Sequence, residues 1–164
     1  MRSIFLFLLI TLTSACSSID FGPKSSSEAV ASSIPADDGQ LLTHGWCVAY
    51  LGVRITQIHG TSPTIIFGTC AVTEKSLFLL QWDSHKRSLY PVKRIIIADI
   101  VAIEREGPGR ARPLIVQSGQ YNFDTIEMRT SAMTADHELN DRVSNFLSER
   151  MIKRDDDAIY SHTQ

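Results

Sequence analysis

The sequence predicts a mainly β (α+β) fold: a small antiparallel sheet or barrel of about seven strands, capped by one C-terminal amphipathic helix. Three observations predict it. From Gly68 to Glu106, apolar runs rich in β-branched and aromatic residues are separated by short polar clusters. Clusters of turn residues at 59–63, 83–87, 107–113 and 118–120 fall at hairpin spacing. After Met128 the apolar period changes from that of a strand to that of a helix.

Taken in order, residues 46–58 read as the first strand, bent at Gly52. Residues 64–73 and 76–82 form a hairpin around Glu74 and Lys75, and 88–98 follow, with Pro91 marking an edge or a bulge. Asp99 reverses the chain into 100–106, and 114–117 with 121–126 make the last hairpin. Leu139, Val143, Phe146, Leu147 and Met151 then place one apolar stripe on a helix of about 135–153. Thr134 is the expected N-cap; Asp136 and Glu138 sit in the first turn, and Arg150, Lys153 and Arg154 near the end, each sign matching the helix dipole. Residues 40–154 therefore read as one domain, long enough for one hydrophobic core and too short for two. Residues 155–164 read as a disordered acidic tail.

The 164 residues carry a formal charge of -2, distributed unevenly. Between Leu41 and Arg154 there are 14 Lys and Arg against 11 Asp and Glu, so the acidic excess lies outside the domain. That balance is too slight for the basic face that nucleic-acid binding requires, and no nucleic acid is expected. The five histidines are scattered singly, without paired-histidine or Cys-x-x-Cys spacing, so no metal or other cofactor is expected. No nucleophile elbow or phosphate-cradling glycine loop is present either, and the chain reads as a non-enzyme.

The N-terminus has a basic residue, Arg2, then an apolar run at 4–12 too short to span a bilayer, then Thr13-Ser14-Ala15-Cys16. This resembles a bacterial lipoprotein signal peptide, although that family prefers Leu where this chain has Thr13. The resemblance implies a signal peptide at 1–15, cleavage after Ala15 and acylation of Cys16. Two or three acyl chains would then hold the protein on a membrane without a spanning helix. An ordinary secretory leader cut after Ala15 is the alternative. Ser17, rather than Asp, after the cysteine leans by the same resemblance toward the periplasmic face of the outer membrane. Residues 16–39, with repeated serines, Pro23 and Pro35 and no sustained period, read as a lipidated, flexible tether.

With Cys16 acylated, Cys47 and Cys70 remain in an oxidising compartment. They are either a disulfide or two buried thiols acting as small hydrophobes, and the sequence leaves both open.

Gly68 to Leu80, with its glycine, apolar strand, Thr73 and Leu77-Phe78-Leu79, together with Ile97-Ala98-Asp99-Ile100 and Tyr121-Asn122-Phe123, resembles the pleckstrin-homology superfamily, in particular its GRAM-like and bacterial PH-like members. The resemblance covers roughly residues 41–152. Eukaryotic PH domains hold anionic lipid heads with basic loops, which draws notice to Lys86, Arg87, Lys93, Arg94, Arg110 and Arg112 in or beside the turns. Two readings of these residues stand: contacts to an anionic lipid, lipopolysaccharide or acidic partner, or solvated charges that keep strand edges from pairing. The expected function is an envelope lipoprotein that binds a protein partner at the membrane as a scaffold or assembly accessory.

Overall fold

A computed structural model describes residues 22, 25–54, 62–105, 112–120, 122–131 and 134–161, with side chains through Met151. Its centre is one antiparallel sheet of eight strands: β1 (Leu41–Leu51), β2 (Thr64–Thr73), β3 (Ser76–Asp83), β4 (Ser88–Ile96), β5 (Ile100–Arg105), β6 (Leu114–Ser118), β7 (Asn122–Ser131) and the short β8 (Thr134–Ala135). Seven follow the order β4-β3-β2-β1-β7-β6-β5, and β8 pairs with β7. Two meanders therefore meet where β1 pairs with β7.

The connectivity forces the sheet to curl. Its two outermost strands, β4 and β5, are consecutive in the chain and joined only by a 3-10 turn, Ile97–Asp99. Three residues span about 10 Å, so the two edges must approach each other at that corner. No hydrogen bonds pair β4 with β5, and the curled sheet stays open there.

One core fills the concave side, with Cys47, Ile66, Leu77, Leu79, Ile95, Ile100, Leu114, Val116, Ile126 and Met128 all buried. The C-terminal helix, α2 (His137–Ser161), closes this core with Leu139, Val143 and Leu147, supported by Phe146 and Met151, as the stripe predicts. Helix and strand approach closely at Gly45, where a Cβ would collide with the Leu139 side chain. Gly68 is similarly constrained: a Cβ there would strike the Leu80 carbonyl of β3.

The start of α2 is fixed differently from the expectation. Asp136, not Thr134, is the cap: its Oδ1 accepts from Leu139 N at 2.9 Å, and its carbonyl accepts from Asn140 N at 3.0 Å. Thr134 is engaged in β8 instead. Buried Asn140 pins the helix to β7, its Oδ1 accepting from Met128 N at 3.0 Å. The helix also runs on to Ser161, through most of the expected acidic tail. No Gly or Pro occurs after Gly119 to stop it.

Cys47 on β1 and Cys70 on β2 are joined in a disulfide, with Cα atoms 5.6 Å apart. The register explains how. Cys47 lies opposite Gly68 and Cys70 opposite Gly45, so between β1 and β2 the two sulfurs meet diagonally across positions that carry no opposing side chain.

The largest departure from expectation is the segment read as a tether. Residues 25–39 are packed along the convex side of the sheet, so a flexible tether through 39 is ruled out for them. A short helix, α1 (Ser27–Ala31), is capped by Ser26 and inserts Val30, fully buried, against Ala71, Phe78, Leu80 and Leu89. Ile34, Leu41 and Trp82 flank this second cluster. Burying the Val30 side chain contributes about 2 kcal/mol toward the cost of ordering the strap, to which the contacts of Ile34, Asp38 and Asp37 add. A second 3-10 turn, Ala36–Asp38, follows. It brings Asp38 to full burial, where its Oδ1 accepts from Ser76 Oγ at 2.5 Å and from Arg94 Nη2 at 2.9 Å. The strap ends beside the β2–β3 turn, where Lys75 Nζ donates to the Asp37 carbonyl at 2.7 Å and Glu74 N to the Gln40 carbonyl at 3.2 Å. Composition alone suggested disorder because the strap's serines and prolines outnumber its few anchors.

Two outcomes are expected. Alkylation of the denatured, unreduced protein should modify neither Cys47 nor Cys70, whereas two added labels by mass would refute the bridge. Reduction should cost on the order of 3 kcal/mol in a denaturant titration, the chain-entropy value for a loop of this length. Asp38→Ala should loosen the strap while leaving the sheet folded, read as rapid proteolysis confined to residues 25–40; an unchanged cleavage pattern would show that the clasp contributes nothing.

Candidate functional site

The six basic residues singled out by the sequence do not form one cluster. Lys93 points into the concave side, because it lies opposite Leu79 in the register. Its Nζ donates to both carboxylate oxygens of Asp124, at 2.7 and 2.6 Å. Asp124 is fully buried and Lys93 only 23% exposed, and Gly52 N also donates to Asp124 Oδ1, at 3.1 Å. Arg94, next along the strand, points the other way, opposite Phe78. Its Nη2 holds Asp38, its Nε donates to Ser76 Oγ at 3.0 Å, and its guanidinium lies 5.9 Å from the Phe78 ring centre. Lys93 and Arg94 are thus ion-paired within the fold, a role that neither reading of the basic residues anticipated.

Lys86 and Arg87 face solvent. They sit in the turn between β3 and β4, and the Lys86 side chain is 80% exposed. Arg87 adopts a left-handed backbone conformation, φ 51°, at the last position of that turn. Asp83 Oδ1 accepts from the backbone N–H groups of His85 and Lys86, at 2.9 and 3.0 Å, which organises the turn and holds the Asp83 carboxyl below its usual range. The Lys86 ammonium is 3.8 Å from Asp83 Oδ2, a loose pair in solvent. Arg112 is exposed just before β6, and its carbonyl accepts from Arg105 Nη2 at 3.2 Å. Arg110 and Cys16 lie outside the described residues.

Among the described residues, two of the surface concavities stand out by volume. The first, about 170 Å³, is polar and lies where the strap, β1, β7 and the start of α2 converge; His44, Thr69, Arg129, Thr130 and Arg142 line it. His44 Nε2 is 2.9 Å from Ser27 Oγ, and Arg129 Nη2 donates to Glu127 Oε2 at 2.5 Å. These contacts tie the strap to β1 and neighbouring residues of β7 to each other. The second, about 320 Å³, is apolar, formed by Ile96, Ile97, Ala98 and Met151 at the corner where β4 turns into β5.

Among the described residues no group of three or more His, Cys, Asp and Glu gathers closely enough to hold a metal. In the bridged state neither Cys47 nor Cys70 carries a thiol, so neither can supply a thiolate nucleophile there. Among the described residues no helix is long and apolar enough to cross a membrane.

Sequence reasoning missed Asp38, Asp124 and Asn140 as organising residues. Asp124 carried a usable signal, since it falls at the same alternation as the apolar Ile126 and Met128.

No family model matches the chain, and no curated protein matches it.

Removing one partner of the Lys93–Asp124 pair should be far more damaging than removing both. Asp124→Leu or Lys93→Met alone should destabilise by about 3–5 kcal/mol, because each leaves a charge in the core without its partner. The double variant should recover most of that in urea titrations; additive losses would show that the pair is not coupled.

Proposed function

We propose that this protein is a membrane-anchored lipoprotein of a bacterial envelope, held through an acylated Cys16, whose β domain is a non-enzymatic protein-binding or assembly module. The observation that carries the binding role is the outer strand β4. Tyr90, Val92 and Ile96 are each about two-fifths exposed along it, and among the described residues no strand pairs with its free edge. Val101, on β5 beyond the corner formed by Ile97–Asp99, is half exposed. Exposed strand edges of this kind accept an extended segment from another protein by main-chain pairing, with side chains supplying selectivity. Pro91 and the register shift between Leu79 and Leu80 interrupt the edge, which limits indiscriminate self-pairing.

A second reading, recognition of an anionic lipid or glycolipid head group, is favoured by one observation: Lys86 and Arg87 project together from the β3–β4 turn. It draws on charge alone and predicts binding that weakens as salt rises.

Photoreactive residues at Val92 and Ile96 in the full-length protein should yield a discrete protein adduct in intact cells, lost when the unmodified member of the pair is changed to Glu. Adducts to lipid alone would sink the protein-binding reading and favour head-group recognition. Fractionation with mass measurement of the N-terminal peptide tests the anchor, and an unacylated Cys16 would remove it.

A further inference from the structure

We infer that the β3–β4 turn, with Lys86 and Arg87 at its tip, is the face the domain presents to an anionic membrane surface. The inference rests on the anchoring of Cys16 proposed above and goes beyond it by fixing which end of the domain meets the bilayer.

The first support is where the chain joins the domain. Had residues 16–39 been a free tether, the domain would have had no defined orientation. The strap instead lies against the sheet from residue 25 onward, and Gly22 already abuts Trp82, since a Cβ on Gly22 would collide with the Trp82 side chain. Trp82 is the penultimate residue of β3, immediately before the turn that carries Lys86 and Arg87. Gly22 lies six chain steps from Cys16. Fully extended they span about 20 Å, and as a random segment about 13 Å. A lipid at Cys16 therefore keeps the Trp82 end of the sheet close to the bilayer, while the far end of β3, at Ser76, lies about 20 Å further along the strand.

The second support is charge. At the near end, His85, Lys86 and Arg87 are all exposed, with the Asp83 carboxylate, 22% exposed, beside Lys86. At the far end, where the strap clasps the β2–β3 turn and β4 runs into β5, the exposed residues include Asp37, Glu74 and Asp99 against Lys75 and Arg150. The near end is the more positive of the two, so an anionic surface favours it, the same sense that the short link imposes. Neither support depends on the other.

The test uses the full-length, lipidated, disulfide-bonded protein in phosphatidylethanolamine vesicles containing phosphatidylglycerol. A fluorophore is attached at Ser84→Cys, at the near end, or at Asp99→Cys, at the far end, and quenched by lipid-borne nitroxide. Quenching should be several-fold stronger at position 84, and Lys86→Glu with Arg87→Glu should reduce that difference. Equal quenching at the two positions on protein shown by mass to be acylated would overturn the orientation while leaving the anchor intact. A difference that is the same on purely zwitterionic vesicles would overturn the charge contact. Protein whose mass shows no acyl chain would remove the anchor reading and the orientation with it.

Discussion

The buried pair between Lys93 and Asp124 is the interaction that locks the curl imposed on the sheet by its connectivity. β4 is an outer strand and β7 lies four places away in the sheet order, so these two side chains meet only because the sheet bends back on itself. Taking both charges out of water is costly, and the geometry offsets that cost. Asp124 receives the ammonium on both oxygens and a backbone N–H from Gly52 besides. An open sheet with this sequence would strand a carboxylate in an apolar core.

Because side chains alternate across a strand, the residue after Lys93 must face the opposite way. Arg94 uses that position to hold Asp38, itself buried, so one dipeptide on an outer strand engages carboxylates on both faces of the sheet. One carboxylate comes from the last long strand and the other from the segment preceding the first. The folding unit therefore includes residues 25–39, and a domain counted from residue 40 would leave Phe78, Leu80 and Leu89 uncovered.

The fold class was legible because it rests on local periodicity. The hairpin at 64–83, the outer position of the strand with Pro91, the reversal at Asp99 and the stripe of α2 are all set by residues within a few positions of one another. The strap was not legible by composition, yet the sheet itself carried the signal. Ser76 to Leu80 is buried without alternation, as a strand covered on both faces must be, and a sheet with only one helix to cover it needed a second layer. The roles of the basic residues were less accessible still. Lys93 and Arg94 look like turn-proximal surface charges in sequence, and their partners lie 31 and 56 residues away. Only the curl and the strap bring those carboxylates within reach, so charge spacing along the chain could not separate paired from solvent-facing cations.

The strap also determines how the molecule would respond to being pulled. Tension arriving from upstream of Gly22 acts first on the contact with Trp82, then on α1 and its single buried valine, and only last on the clasp of Asp38 with Arg94 and Ser76. Contacts loaded one after another yield at lower force than contacts loaded together. Peeling the strap would release about 50 Å of chain at roughly 3.3 Å per residue before any sheet hydrogen bond bore the strain. The disulfide between β1 and β2 lies just beyond that point, so the strands taking up the load next are already covalently joined.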